Sequence, residues 1–223
     1  MSKVKVFIAV PVGDVCGLPP TWSLKLVKLV NSIRSISGEY EVQVIKGYPI
    51  DVAREFAVKT AMNYGATHIF FLDSDVVPNR DDTILQLLQW RLPVVCGVYR
   101  LKKVDSSQVF PFSVYKWDPE RNAFRYLTPA DIPPGSRLIP IEGGGLGLCL
   151  IDMRVFNVID EPYFKWELYP WNPPPGGLSE DLYFFKKVID KGIQPYADLQ
   201  VTASHYLAPP VALKIDGTLY NTP

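Results

Sequence analysis

Asp73-Ser74-Asp75 is the tripeptide in this chain whose residue types and spacing best suit chemistry. Two carboxylates at i and i+2, leaving the end of a strand, can both reach one hard cation, and oxygen donors suit Mg2+ or Mn2+. A cation held there would bridge the phosphates of a nucleoside diphosphate and neutralise the charge that grows as it departs. Asp and Ser are also ordinary residues of a strand-to-loop turn, so the tripeptide alone does not separate a ligand set from a turn. Ser179-Glu180-Asp181 is a second candidate. Ser179 reads as a helix N-cap, and carboxylates in a first turn complement the helix dipole whether or not they react. The segment before it is rich in Trp, Tyr, Pro and Gly, and Trp166 and Trp171 offer aromatic faces on which sugar rings stack. His205 is one of two histidines. As neutral imidazole it can be a third metal ligand beside Asp73 and Asp75; the alternative is an ordinary surface or core histidine. His68, inside an apolar run, reads as structural.

The elements that must position these residues alternate strand and helix through the first half. Val4–Val12 is a near-continuous apolar run, as expected of a strand buried on both faces. Thr21–Ser37 places Leu26, Leu29, Val30, Ile33 and Ile36 on one helical face, and Tyr40–Lys46 returns as a strand. Asp51–Tyr64 reads as a helix with a small-residue stripe at Ala53, Ala57 and Ala61, capped by Asp51 and ended near Gly65. Thr67–Leu72 and Pro93–Tyr99 are apolar strands flanking a helix at Asp81–Trp90. This β-α order predicts a mostly parallel central sheet flanked by helices, an α/β fold. Asp73 and Asp75 then leave its carboxyl edge, where open α/β sheets bind ligands.

The second half reads differently. Val109–Trp117 and Ala123–Leu127 form a smaller antiparallel hairpin, followed by a Pro- and Gly-rich loop at Pro129–Pro140. Gly145–Ile151 is a strand, Asp152–Ile159 a short helix and Tyr163–Leu178 irregular. Ser179–Lys191 is a helix with Leu182, Phe185, Val188 and Ile189 inward, and Ile193–Ala197 is the last strand before a tail to Pro223.

Composition narrows the function classes. The chain has 223 residues, a length that suits one large domain. Twenty-three basic residues offset 23 acidic ones, with no run of Lys and Arg, so neither nucleic acid nor an anionic membrane is an expected partner. Three widely spaced cysteines, Cys16, Cys96 and Cys149, argue against a disulfide framework or a zinc site and for a reducing compartment. The apolar stretch Val6–Val12 is too short for a signal peptide or a membrane span, so the expectation is a cytoplasmic protein with no integral membrane segment.

In order along the chain, these pieces resemble the GT-A class of nucleotide-sugar-dependent glycosyltransferases, closest to its broad family-two type. The stretches that carry the resemblance are Phe7-Ile8-Ala9-Val10-Pro11, Ala53-Arg54-Glu55 and Ala66-Thr67-His68-Ile69-Phe70-Phe71-Leu72-Asp73-Ser74-Asp75-Val76-Val77-Pro78. Val95-Cys96-Gly97-Val98-Tyr99, the glycines of Gly143–Gly147, and Leu178-Ser179-Glu180-Asp181-Leu182 continue it as far as His205. The resemblance implies a single domain over 1–223, with a nucleotide-binding half at 1–100, a sugar and acceptor half at 101–205 and a tail at 206–223. It implies that Pro11 and Val12 line the nucleotide pocket, that Arg54 sits near the base or diphosphate, and that Asp73, Ser74 and Asp75 meet the donor. Asp73, Asp75 and His205 would hold Mn2+ or Mg2+, and Gly144 and Gly145 would leave room for the sugar. Asp181 would be the base, with Glu180 in reserve. Glu55 departs from the Arg-Asn pair that family members often carry.

The expected activity is transfer of a sugar from a UDP- or GDP-linked donor to a hydroxyl of a glycan, a protein or a small molecule. The Glu-Asp pair resembles that of inverting members, although some retaining members share the Asp-x-Asp and distal His. Two other readings stand beside it. One is a metal-dependent nucleotidyl- or phosphoryl-transfer enzyme. Against it, Val12-Gly13-Asp14-Val15-Cys16-Gly17 lacks the Arg and Lys of a sugar-phosphate nucleotidyltransferase loop. The other is a non-catalytic nucleotide-sugar or carbohydrate-binding module of the same fold.

Overall fold

The apolar run near the amino terminus forms strand β1 (Lys5–Val12), and its period-two geometry sorts side chains to two cores. Val6, Ile8 and Val10 join Trp22, Leu29, Ile33, Phe70 and Leu72 on one face, while Phe7 and Ala9 join Ala53, Ala57, Ala61, Ile69 and Phe71 on the other. The computed structural model describes residues 3–12, 20–103, 107, 109, 111–168, 177–208, 211–213 and 219–221. Trp171 and Cys16 lie outside the described residues.

After β1 come α1 (Pro20–Ser35), β2 (Glu39–Lys46), α2 (Ile50–Tyr64), β3 (His68–Leu72), β4 (Val76–Pro78), α3 (Thr83–Leu88) and β5 (Val94–Tyr99). The expected hairpin is β6 (Val114–Asp118) and β7 (Ala123–Tyr126). It precedes β8 (Leu138–Pro140), β9 (Gly143–Gly144), β10 (Leu148–Asp152), β11 (Glu167–Leu168) and β12 (Gly177–Leu178). Then follow α4 (Glu180–Asp190), β13 (Tyr196–Ala208), β14 (Val211–Leu213) and β15 (Leu219–Asn221).

Among the described residues the large sheet runs β15-β14-β13-β5-β10-β3-β1-β2. β1 pairs in parallel with β2 and β3, and β5 pairs in parallel with β13. β10 enters antiparallel between β3 and β5, so the parallel sheet contains one reversed strand at its centre. β6, β7 and β9 make a second, antiparallel sheet. Helices α1 and α3 cover one face of the large sheet and α2 and α4 the other. No helix among the described residues is long and apolar enough to cross a membrane.

Helix α2 approaches the sheet closely because Ala53, Ala57 and Ala61 present methyl groups only, and it ends at Gly65 in the left-handed region, φ 72°. The expected cap is corrected: Pro49 holds the N-cap position, and Asp51 lies inside the first turn, where its Oδ1 accepts from the Val52 N–H. Ile36 falls beyond the end of α1 and is 48% exposed; Trp22 fills that helix's share of the core. The loop at Pro129–Pro140 contains a short strand, β8, paired with β13.

The strand expected at Ile193–Ala197 is β13, Tyr196–Ala208; it is longer than expected, it is followed by β14 and β15, and His205 lies within it rather than beyond it. Its register against β5 shifts between Ala197 and Thr202, at the buried Asp198 that breaks the alternation. Past that irregularity the strand resumes and binds β4 on its other side, with His205 opposite Val76 and Ser204 opposite Val77.

Candidate functional site

Asp73-Ser74-Asp75 forms the turn between β3 and β4. The Asp73 N–H donates to the Gly147 carbonyl at 3.1 Å, the Val76 N–H to the Asp73 carbonyl at 3.0 Å, and the Tyr206 N–H to the Asp75 carbonyl at 2.8 Å. Three main-chain bonds therefore fix the turn at the carboxyl end of β3, and the β4–β13 register delivers His205 to Asp75. His205 Nε2 lies 3.5 Å from Asp75 Oδ2, while Nδ1 is 2.7 Å from the Arg100 carbonyl. A carbonyl only accepts, so Nδ1 carries a proton, and Nε2 is the ring nitrogen that faces Asp75. Tyr99 meets the imidazole edge to face, with centroids 5.2 Å apart. The third neighbour is Lys102, whose ammonium rests on Asp75 Oδ2. Burial pushes the Asp75 carboxyl up, but His205 and then Lys102 outweigh it and hold it well below the usual carboxylate range.

Asp73 turns the other way, toward Arg54. That guanidinium, 1% exposed, stacks on Phe71 and reaches Asp73 with Nη1 to Oδ1 at 3.1 Å and Nη2 to Oδ2 at 3.2 Å. Its Nε lies 3.4 Å from Glu180 Oε1 and its Nη2 3.4 Å from Asp181 Oδ1. Arg54 is thus no solvent-facing helix residue; its fork is taken up by three carboxylates of its own chain. Burial opposes its charge, yet Asp73, Asp181 and Glu180 together hold it firmly protonated. One cation does not satisfy three anions. Enclosure, with Glu180 next, pushes the Asp181 carboxyl well up, and enclosure also raises Asp73. The Nη1 approach to Asp73 lacks hydrogen-bond alignment, so Oδ1 of Asp73 and Oδ1 of Asp181 are enclosed without a hydrogen bond. Asp181 Oδ2 accepts from the Leu146 N–H at 3.2 Å, tying the start of α4 to the glycine segment. As expected, Ser179 caps α4, accepting from the Leu182 N–H.

Among the described residues no three His, Cys, Asp or Glu side chains group closely enough to hold a metal ion. Asp75 and His205 come together; Asp73 does not join them. Asp75 and His205 would offer a divalent ion one carboxylate and one imidazole, fewer protein donors than the three expected, and imidazole is not a donor that Mg2+ favours.

A side chain at Gly144 or Gly145 would run into the protein's own rings. A Cβ on Gly145 would stand 2.3 Å from Tyr99 Oη, and one on Gly144 would stand 2.9 Å from Phe185 Cζ. The space is filled by the protein's own rings, so these glycines serve close packing of the β9–β10 connection. Pro11 is buried and Val12 half-buried at the end of β1, and residues 13–19 lie outside the described residues. Glu55 points away from the cluster, its Oε2 accepting from the N–H groups of Tyr163 and Phe164 at 2.9 and 3.3 Å. The departure from Arg-Asn thus anchors a loop.

An open cleft of about 620 Å³ adjoins the site, lined by Lys102, Tyr115, Phe124, Tyr126, Trp166, Ser179 and Leu182 among others. Trp166, 55% exposed, is one of its lining residues. Sequence reasoning gives acceptor recognition to the loops Lys102–Gln108 and Tyr163–Leu178 or to the tail, but it does not single out the hairpin aromatics or the contact of Lys102 with Asp75. Their signals were present: aromatics at alternate positions of β6 and β7, and a lysine just past the carboxyl end of β5, at the same sheet edge as Asp73.

The architecture is a mixed α/β sheet covered by helices on both faces, with acidic groups at strand carboxyl ends, in keeping with Rossmann-like nucleotide-binding folds. No protein-family model matches the sequence, and no curated protein matches it. Among solved structures, the chain is similar to A197 from STIV, with 22% identity over 99% of this chain and 94% of that one and a TM-score of 0.61. It is also similar to a UDP-glucose pyrophosphorylase complexed with UDP-glucose, at 8% identity, 92% and 93% coverage and a TM-score of 0.50. The catalytic domain of Drosophila beta1,4-galactosyltransferase 7 follows at 14% identity, 98% and 70% coverage and a TM-score of 0.46. At such identities the first two likenesses establish the fold and nothing finer.

Proposed function

We propose that this chain is a glycosyltransferase that moves a sugar from a nucleoside diphosphate donor to an acceptor hydroxyl. One observation supports it above the rest: the Asp75–His205 pair at the sheet edge and the aromatic cleft meet at a single residue, Lys102. A site for an anion-bound cation therefore borders a surface suited to sugar rings. In this reading Asp75 and His205 hold Mn2+ or Mg2+, which neutralises the charge of the departing diphosphate when bound.

The chain's own residues do the remainder. Tyr115, Tyr126 and Trp166 orient the sugar or acceptor. Asp181, which lies between the cleft residues Ser179 and Leu182 in sequence, accepts the acceptor's hydroxyl proton. Attack opposite the leaving diphosphate inverts the anomeric centre. Arg54 keeps Asp73, Glu180 and Asp181 in register rather than touching the donor.

The likeness of fold to a UDP-glucose pyrophosphorylase favours a second reading, nucleotidyl transfer. The two differ in what leaves. UDP- and GDP-sugars incubated with Mn2+ and a glycan panel should release nucleoside diphosphate, and Asp75→Ala should abolish that release. Formation of a nucleoside triphosphate from donor and pyrophosphate, without diphosphate release, would replace glycosyl transfer by the second reading.

A further inference from the structure

The Lys102 ammonium and His205 Nε2 converge on one oxygen, Oδ2 of Asp75. A divalent ion shared by Asp75 and His205 must stand beside that oxygen, so Lys102 holds the ion's place. The segment that carries it also fixes the imidazole, because the carbonyl of Arg100, two residues earlier, accepts from His205 Nδ1. Lys102 lines the aromatic cleft as well, so its side chain runs between cleft and carboxylate. That side chain is 35% exposed and Asp75 33%, and ion pairs so open to solvent are weak. A lysine ammonium is a compact charge on a flexible stem and can be redirected.

Lys102 and a divalent ion cannot both sit on Asp75, since three positive charges would face one carboxylate at contact distance. The place to which the ammonium can go is set by what the ion brings. A nucleoside diphosphate supplies oxygens enough for both cations.

We propose that Lys102 is an exchangeable counter-ion: it occupies Asp75 until a divalent ion arrives with a nucleoside diphosphate, and then pairs with the diphosphate. This rests on the reading of the site given above, in so far as an ion and a diphosphate bind there. It predicts a crossed effect. In Lys102→Met, with the full chain, Mn2+ alone should bind about three- to tenfold more tightly, read as free ion by electron paramagnetic resonance. In saturating Mn2+, UDP or GDP should bind more weakly by a similar factor, read by calorimetry. A lysine with only a structural role would move both affinities the same way or neither. Lys102→Gln repeats the test should the Met variant fail to fold.

Unchanged Mn2+ affinity in both variants overturns the exchange, as does unchanged nucleotide affinity. Asp75→Asn separates the two levels of failure. If it abolishes Mn2+ binding while the Lys102 variants leave it unaltered, the exchange alone falls. If it leaves Mn2+ binding as in wild type, the ion site falls and the exchange with it.

Discussion

His205 stands 3.5 Å from Asp75 because His205 and Val76 are partners across β13 and β4. The pairing of two short stretches thus sets the geometry of the candidate ion site. With Nδ1 bound to the Arg100 carbonyl, only Nε2 is free to ligate. Replacing His205 by Ala should weaken Mn2+ binding about tenfold or more while the chain stays folded. An unaltered Mn2+ dissociation constant in that variant would remove His205 from the site.

Arg54, itself buried, neutralises part of an acidic cluster in which Glu180 is buried and Asp73 and Asp181 are half-buried, so its loss should be felt first in stability. Arg54→Ala leaves Asp73, Glu180 and Asp181 facing one another and should cost about 3–5 kcal/mol in urea unfolding. Arg54→Lys should recover only part of it, because an ammonium cannot span three carboxylates in a planar fork. A loss below about 1 kcal/mol for Ala would mean that the cluster is wetter than its burial implies.

The fold was largely legible in the chain because each apolar run is long enough to declare its period. The alanine stripe of α2, the cap at Ser179 and the turn after Leu72 followed from residue types alone. What stayed hidden depends on pairing between distant segments. β10 reads as an apolar strand whichever way it runs, so its reversal between β3 and β5 leaves no mark in the sequence. Asp198 interrupts the alternation of β13, which shortens the expected strand and sets His205 outside it. Arg54 looks like any helix arginine until the sheet edge brings three carboxylates to it.

Asp198 offers a test by pH. It is fully buried and accepts from Arg137 Nη2 and Trp90 Nε1, each at 2.8 Å, and from the Gln200 N–H at 2.9 Å. Burial pushes its carboxyl up, but these donors outweigh it and leave the pKa lowered. A folded pKa below the unfolded value of about 3.9 contributes stability that is present above that value and lost as pH falls through the folded pKa. The urea midpoint of the wild-type chain should therefore fall on acidification below about pH 4. Asp198→Asn should start lower at neutral pH and show a shallower fall. Equal slopes in the two proteins would show that Asp198 does not drive the acid limb.

Gly145 tests whether the glycines serve packing or a ligand. A methyl group there meets Tyr99 Oη at 2.3 Å and Cζ at 3.0 Å, closer than real contacts allow. The hydroxyl is the far end of a side chain, but that ring is buried and packs on His205. Gly145→Ala should thus destabilise by about 1–3 kcal/mol, the usual cost of overpacking. Adding Tyr99→Phe removes the nearer clash and leaves the ring, so the double variant should recover part of the loss, a coupling that separate sites would not show. If the two effects simply add, Tyr99 is not the obstacle. A Gly145→Ala protein of wild-type stability that no longer binds UDP or GDP would return this glycine to the donor pocket.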